Sequence, residues 1–184
     1  MADVSYPVPL LAQPDKLSCW CASMAMLVSF RRQTTYAPEQ LAQDVNFSLR
    51  TSYDWDALEA VKNQFGFQDI SLPSNASLYP TPQQWSDWLT ANGPLWITTV
   101  GDPSHAIVLR GLTGDLTADS TTAHINDPWD ATTTFTDDEI DFSPANAGRA
   151  YDQSFTDLAA DFGNLDLSDY GSWRVLFLPT PSGS

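Results

Sequence analysis

Residues 18–30 read Ser18-Cys-Trp-Cys-Ala-Ser-Met-Ala-Met-Leu-Val-Ser-Phe30 and hold both cysteines of the chain. Ser18 is an expected N-cap, since its side chain can accept from an amide of the first helical turn. Beyond it, Trp20, Cys21, Ala22, Met24, Ala25, Met26, Leu27 and Val28 leave almost no polar face. A helix that is apolar all round is buried on all sides. The reading is therefore a helix over Cys19–Phe30 that runs through the middle of the fold, with everything else wrapped around it.

Working outward, residues 1–18 are punctuated by Pro7, Pro9 and Pro14 and are expected to be extended and irregular. Pro38 to Val45 reads as a short helix with proline in its first turn. Asp54 to Phe65 reads as another, because Trp55, Leu58, Val61 and Phe65 share one face and Gly66 stops it. A Pro- and Ser-rich loop follows, then a helix over Thr81–Asn92 ended by Gly93-Pro94. From there the pattern changes. Leu95–Val100, Ala106–Arg110, Thr121–Asn126 and Trp173–Leu178 are strands by their β-branched and aromatic content, with turn residues over Gly111–Asp119. Helices first and strands second imply an α+β fold with an antiparallel sheet. Residues from about 130 to 170 hold many acids and Arg149 as their one base, and are read as an insertion before the last strand, with partial helix over Phe155–Phe162.

The chain of 184 residues suits a single domain, residues 1–184. Hydrophobic residues make up 42% and aromatics 12%, a composition that can form a core without staples. The formal net charge is -15 with 8 Lys and Arg, which argues against nucleic acid or an anionic membrane as partner. No apolar run is long enough to span a bilayer, and the N-terminus lacks the basic and apolar regions of a signal peptide. Cytoplasmic synthesis with free thiols is expected. A disulfide between Cys19 and Cys21 would close a tiny ring of poor geometry. Structural zinc needs more ligands than two cysteines and two distant histidines supply, so no metal or cofactor is expected.

A cysteine in the first turn of a helix sits where unpaired amides and aligned peptide dipoles favour a thiolate. Cys19 occupies that place. Cys21 lies roughly 200° further round the helix and reads as a small core residue. A thiolate needs an imidazole as base or counter-cation. His105 stands at the entrance to a strand, at the sheet end that can face the helix tip, whereas His124 lies inside a strand and reads as structural. The imidazole must be oriented by an acceptor. Asp127, at the far end of the neighbouring strand, returns to the start of the His105 strand, while Asn126 points the other way. Trp129 could shield that hydrogen bond or simply pack in the core, and Trp55, Trp85, Trp88 and Trp96 fit core positions. Gln13, six residues before Cys19, could offer an amide to an oxyanion together with the Cys19 N–H. The competing reading for Gln13 is a surface glutamine.

At these residues the chain resembles the papain-like cysteine peptidases. Ser18-Cys19-Trp20 matches the last three positions of that family's signature. The Gln13-to-Cys19 spacing, the buried helix and the order Cys, His, Asp also fit. The upstream cysteine of the plant-type signature is Lys16 here, and Asn126-Asp-Pro-Trp129 stands where papain has Asn-Ser-Trp. The pattern is similar to compact bacterial members: peptidases that process bacteriocins after a double glycine, and toxin domains delivered between bacteria. The resemblance implies a papain-like fold and a cysteine endopeptidase acting on a protein substrate. In it Cys19 attacks, His105 moves the proton, Asp127 orients His105 and Gln13 completes the oxyanion hole. It also implies an effector or toxin delivered into a target cell and met by an immunity protein or inhibitor. Two other readings stand beside it: a cysteine amidase acting on peptidoglycan or side-chain amides, and a non-catalytic binding module on the same scaffold.

Overall fold

The computed structural model describes residues 1–49, 55–70, 81–99, 105–130, 146–163 and 174–180. Its central element is helix α1 (Cys19–Arg32), whose residues from Cys19 to Ser29 are all buried. The helix runs two residues past the expected Phe30 and ends where Gln33 turns left-handed and donates its N–H to Ser29 O. The polar side chains inside it are accounted for. Ser23 Oγ accepts from Trp96 Nε1 at 2.8 Å and donates to Cys19 O at 2.6 Å, and Ser29 Oγ accepts from Tyr36 N at 2.8 Å. Arg31, near the far end, donates Nε to Leu178 O at 2.6 Å and Nη2 to Asn92 O.

The strands, in chain order, are β1 (Ala2–Ser5), β2 (Gln68–Asp69), β3 (Leu95–Thr99), β4 (His105–Gly114), β5 (Thr121–Asp127), β6 (Arg149–Ser154) and β7 (Val175–Phe177). They form one sheet in the order β2-β7-β3-β4-β5-β6, and every pairing is antiparallel. One long strand, β4, takes β3 along its first half (Leu95↔Leu109 to Thr99↔His105) and β1 along its second (Ala2↔Gly114 to Ser5↔Gly111). Its register with β5 shifts between Leu109 and Gly111. At Gly111 a Cβ would lie 2.4 Å from Val4 O and 2.8 Å from Ser5 Cα, so β1 docks there because no side chain is present.

Period-two alternation splits the sheet residues between two apolar layers. Trp96, Ala106, Val108, Leu176 and Leu178 face the layer built on α1, α2 (Pro38–Asp44) and α3 (Trp55–Phe65). Leu95, Ile97, Ile107, Leu109 and Val175 face the opposite layer, with Trp85 and Leu89 of α4 (Pro82–Asn92) and Phe155 and Leu158 of α5 (Phe155–Gly163). The result is an α+β fold with α1 packed on an antiparallel sheet, as expected from the sequence.

Three local expectations need correction. The first residues are not irregular throughout, since Ala2–Ser5 pair with β4. Ser18 flanks the helix but makes no side-chain capping bond; its Oγ instead donates to Asp15 O and accepts from Asp15 N, both at 3.1 Å. The acidic region holds more than partial helix: β6 pairs with β5 from Thr122↔Ser154 to Asp127↔Arg149 and extends the sheet, and α5 follows it directly. The helix over Thr81–Asn92 starts with a reciprocal box in which Thr81 Oγ1 accepts from Gln84 N and Gln84 Oε1 accepts from Thr81 N. Asp54, Val100, Trp173, the loop at 71–80, the turn at Gly101–Ser104 and the acidic stretches 131–145 and 164–173 lie outside the described residues.

Candidate active site

Cys19 is the first residue of α1 and 8% exposed. Its position is fixed from below by the Trp96–Ser23–Cys19 chain of hydrogen bonds, which ties the helix tip to β3. Among the described residues neither cysteine is in a disulfide, and the two sulfurs have different surroundings. Cys21 is fully buried and its thiol donates to Pro38 O at 3.0 Å. Burial pushes its pKa far above the ordinary thiol range, so it stays protonated and inert.

His105 begins β4 and Asp127 ends β5, so the antiparallel pair brings them to the same end of the sheet. Asn126 lies opposite Val108 and turns to the α1 layer, where its amide donates to Val8 O at 3.0 Å. Asp127 projects the other way, and its Oδ1 accepts from His105 Nε2 at 2.6 Å. The same oxygen accepts the Trp129 backbone N–H at 2.9 Å, so the Asp-Pro-Trp turn locks the carboxylate in place. The Trp129 ring stands edge-on to the imidazole, with centroids 6.3 Å apart and planes at 73°. Trp129 therefore packs against the ring that Asp127 holds.

The Cys19 side chain is near enough to the imidazole to help raise its pKa. Burial disfavours the imidazolium, but the bond to Asp127 and the influence of the Cys19 side chain together outweigh it. The pKa is pushed up from 6.5 to about 10. With Nε2 committed to Asp127, Nδ1 is the nitrogen left for the sulfur. A protonated ring then donates to Asp127 and supplies a cation beside the sulfur.

Gln13 is 2% exposed and is not a surface residue. Its Nε2 donates to Asp15 O at 2.8 Å, which engages one amide hydrogen and leaves the second. Its Oε1 is buried without a hydrogen-bond partner among the described residues. Its backbone is held by the loop after Asp127: Gln13 N donates to Pro128 O at 2.9 Å. Asn146, 9% exposed, donates Nδ2 to both Gln13 O and Pro128 O at 2.9 Å. No sequence pattern marks Asn146; the one local hint is the turn chemistry of Asn146-Ala-Gly148, where Gly148 has a φ of 66°. Ser23, equally silent in the sequence, is legible only once β3 is seen to cross α1.

The structure thus gathers Cys19, His105 and Asp127, with Gln13 on a loop fastened to the residue after Asp127. His124 lies apart, its Nδ1 2.7 Å from Asp152 Oδ1 and its Nε2 3.1 Å from Thr113 Oγ1, a satisfied residue of the sheet. Trp85 and Trp96 are core residues, and Trp88 packs edge-to-face on Trp85 at 5.1 Å. Among the described residues no group of three or more His, Cys, Asp or Glu side chains could hold a metal ion, and no helix is long and apolar enough to cross a membrane.

The profile of a family described as papain-like cysteine protease AvrRpt2 matches residues 2–137. A comparison with curated proteins finds no match. Among solved structures, the peptidase domain of Streptococcus ComA, a bi-functional ABC transporter involved in a quorum-sensing pathway, is similar with a TM-score of 0.56 at 14% identity. The similarity covers 94% of this chain and 98% of that one. A double-glycine-motif protease from an AMS/PCAT transporter, solved in complex with a leader peptide, is similar with a TM-score of 0.54 at 20% identity. There the coverage is 98% of this chain and 99% of the other. Both likenesses concern the fold.

Proposed function

Because the chain belongs to the family of papain-like cysteine proteases described for AvrRpt2, we propose that it is a cysteine endopeptidase working through Cys19, His105 and Asp127, with Gln13 in the oxyanion hole. The observation that carries this reading is a single imidazole bonded to Asp127 at 2.6 Å, with its pKa raised by both Asp127 and the Cys19 side chain. In the proposed cycle the Cys19 sulfur, paired with the His105 cation, attacks a peptide carbonyl carbon. The developing oxyanion is received by the Cys19 backbone N–H at the helix tip and the second Nε2 hydrogen of Gln13. His105 gives its Nδ1 proton to the departing amine and the C–N bond breaks, leaving a thioester on Cys19. A water then loses a proton to His105 as it attacks the thioester carbonyl. Collapse releases the acid and restores the sulfur–imidazolium pair. Asp127 keeps the ring in the orientation that both transfers need.

A polypeptide substrate is supported by the fold-related protease bound to a leader peptide. We read the domain, residues 1–184, as one catalytic unit and an effector acting on a protein of another cell, with an immunity protein or inhibitor as its counterpart. The net charge of -15 suits a basic patch on either partner. The test is iodoacetamide labelling near neutral pH, with Cys19→Ala protein as the control in peptide maps of incubated candidate substrates. Rapid alkylation confined to Cys19, abolished by His105→Ala, and peptides released only by the wild type are expected. Labelling of Cys19 no faster than a free cysteine, with identical peptide maps, would overturn the reading. Expression of the wild type and of Cys19→Ala in a bacterial cytoplasm tests the effector role: growth arrest only by the wild type supports it, and equal growth rejects it.

A further inference from the structure

Resting on the catalytic reading above, we propose that Asn146 is a positioning residue of the oxyanion hole: it fastens the loop that carries Gln13 to the turn that follows Asp127. Four hydrogen bonds converge on this one side chain. Nδ2 donates to Gln13 O and Pro128 O, both at 2.9 Å, while Oδ1 accepts from Asp130 N at 3.1 Å and Gly148 N at 3.2 Å. Gln13 N closes the arrangement by donating to the same Pro128 O at 2.9 Å. The chain returns close beneath the site at this point: a Cβ on Gly148 would lie 3.1 Å from Asp127 O, and Gly148 already has the left-handed φ that favours glycine.

The consequence follows from geometry. Gln13 sits on a lead-in segment outside the sheet and outside any helix, so regular structure does not fix it. Its side chain is held within its own loop by the bond from Nε2 to Asp15 O. Its backbone is held by Pro128 and Asn146. Removing the two Nδ2 bonds leaves Gln13 N to Pro128 O as the link between the loops that is on the same residues. The distance between the Gln13 amide and the Cys19 N–H would then no longer be set to the fraction of an ångström an oxyanion needs. The hydrogen bonds of the Asn146 side chain go to Gln13, Pro128, Asp130 and Gly148 and to neither Cys19 nor His105, so the sulfur–imidazole pair should be left as it is.

Two reagents separate these effects. Iodoacetamide alkylates the sulfur by displacement at carbon and forms no oxyanion. p-Nitrophenyl acetate acylates it through a tetrahedral oxyanion. Wild type, Asn146→Ala and Asn146→Asp are compared with both reagents, with the modified residue identified by peptide mass and the melting temperature measured for each. The Asp variant keeps the acceptor for Asp130 and Gly148 and removes the donor, so it preserves the turn while opening the clasp. Acylation of Cys19 should fall about 10- to 100-fold in both variants, and alkylation should stay within about twofold. Acylation unchanged in the Asp variant, or alkylation falling in parallel with acylation, overturns the proposal. A wild type in which Cys19 is inert to both reagents sinks the catalytic reading itself, and this proposal with it.

Discussion

An imidazole whose pKa is pushed from 6.5 to about 10 holds its proton at neutral pH, and that has a consequence for stability as well as chemistry. Because the folded pKa lies above the unfolded one, the contribution of His105 is fully present below about pH 6.5 and is lost as pH rises toward 10. Wild-type protein should therefore lose on the order of a few kcal/mol from this group over that window. Asp127→Asn removes the charge that helps hold the proton, so its stability should fall less steeply with pH. Urea unfolding at several pH values measures both slopes, and parallel curves would refute the assignment. In the same variant the alkaline limb of peptide hydrolysis should move to lower pH. Ser23 makes a second prediction at this scale. Ser23→Ala removes the acceptor of a fully buried indole N–H and should cost about 1–3 kcal/mol. A denaturation midpoint equal to the wild type's would show that the Trp96 bond does not hold the helix tip.

Helix α1 was legible as an element because its composition admits only one environment: every residue from Cys19 to Ser29 is buried. Strands β3, β4 and β5 were legible by their β-branched runs, though β4 continues four residues beyond the expected Arg110. By contrast β1 and β6 were not. Ala-Asp-Val-Ser and Arg-Ala-Tyr-Asp-Gln-Ser carry little strand preference of their own, and pairing with β4 and β5 makes them strands. The cause at β1 is visible in one residue. Gly111→Ala would set a methyl 2.4 Å from Val4 O and push β1 away. It should cost about 1–3 kcal/mol and raise hydrogen exchange over residues 2–5; unchanged protection there would mean that β1 is held by something else. The α5 helix gives a matching test on the other face. Leu158→Ala in the second apolar layer should cost about 2–4 kcal/mol, whereas a surface helix would lose almost nothing.

Over the whole molecule, 23 acids against 8 bases leave the folded chain repelling itself. Screening relieves that, so the melting temperature should rise by a few degrees between about 0.02 M and about 0.5 M NaCl; a fall would mean that attractive pairs outweigh the net repulsion. Charge, the helix at Cys19 and the order of Cys, His and Asp were all present in the sequence, because each depends on local composition or on spacing along the chain. So were the residues to look at: Gln13, Cys19, His105 and Asp127. Their distances and their surroundings were not. Whether Gln13 was a surface residue or a buried one depended on Pro128 and Asn146, which lie 115 and 133 residues further along. The 2.6 Å bond from His105 to Asp127 required the β4–β5 register, with its shift between Leu109 and Gly111, which no periodicity reveals. The sequence by itself determined which chemistry was available, since a nucleophile, a base and an acceptor are properties of side chains. Only the tertiary structure decided that they meet, because burial, register and the pKa of His105 arise from neighbours distant in the chain.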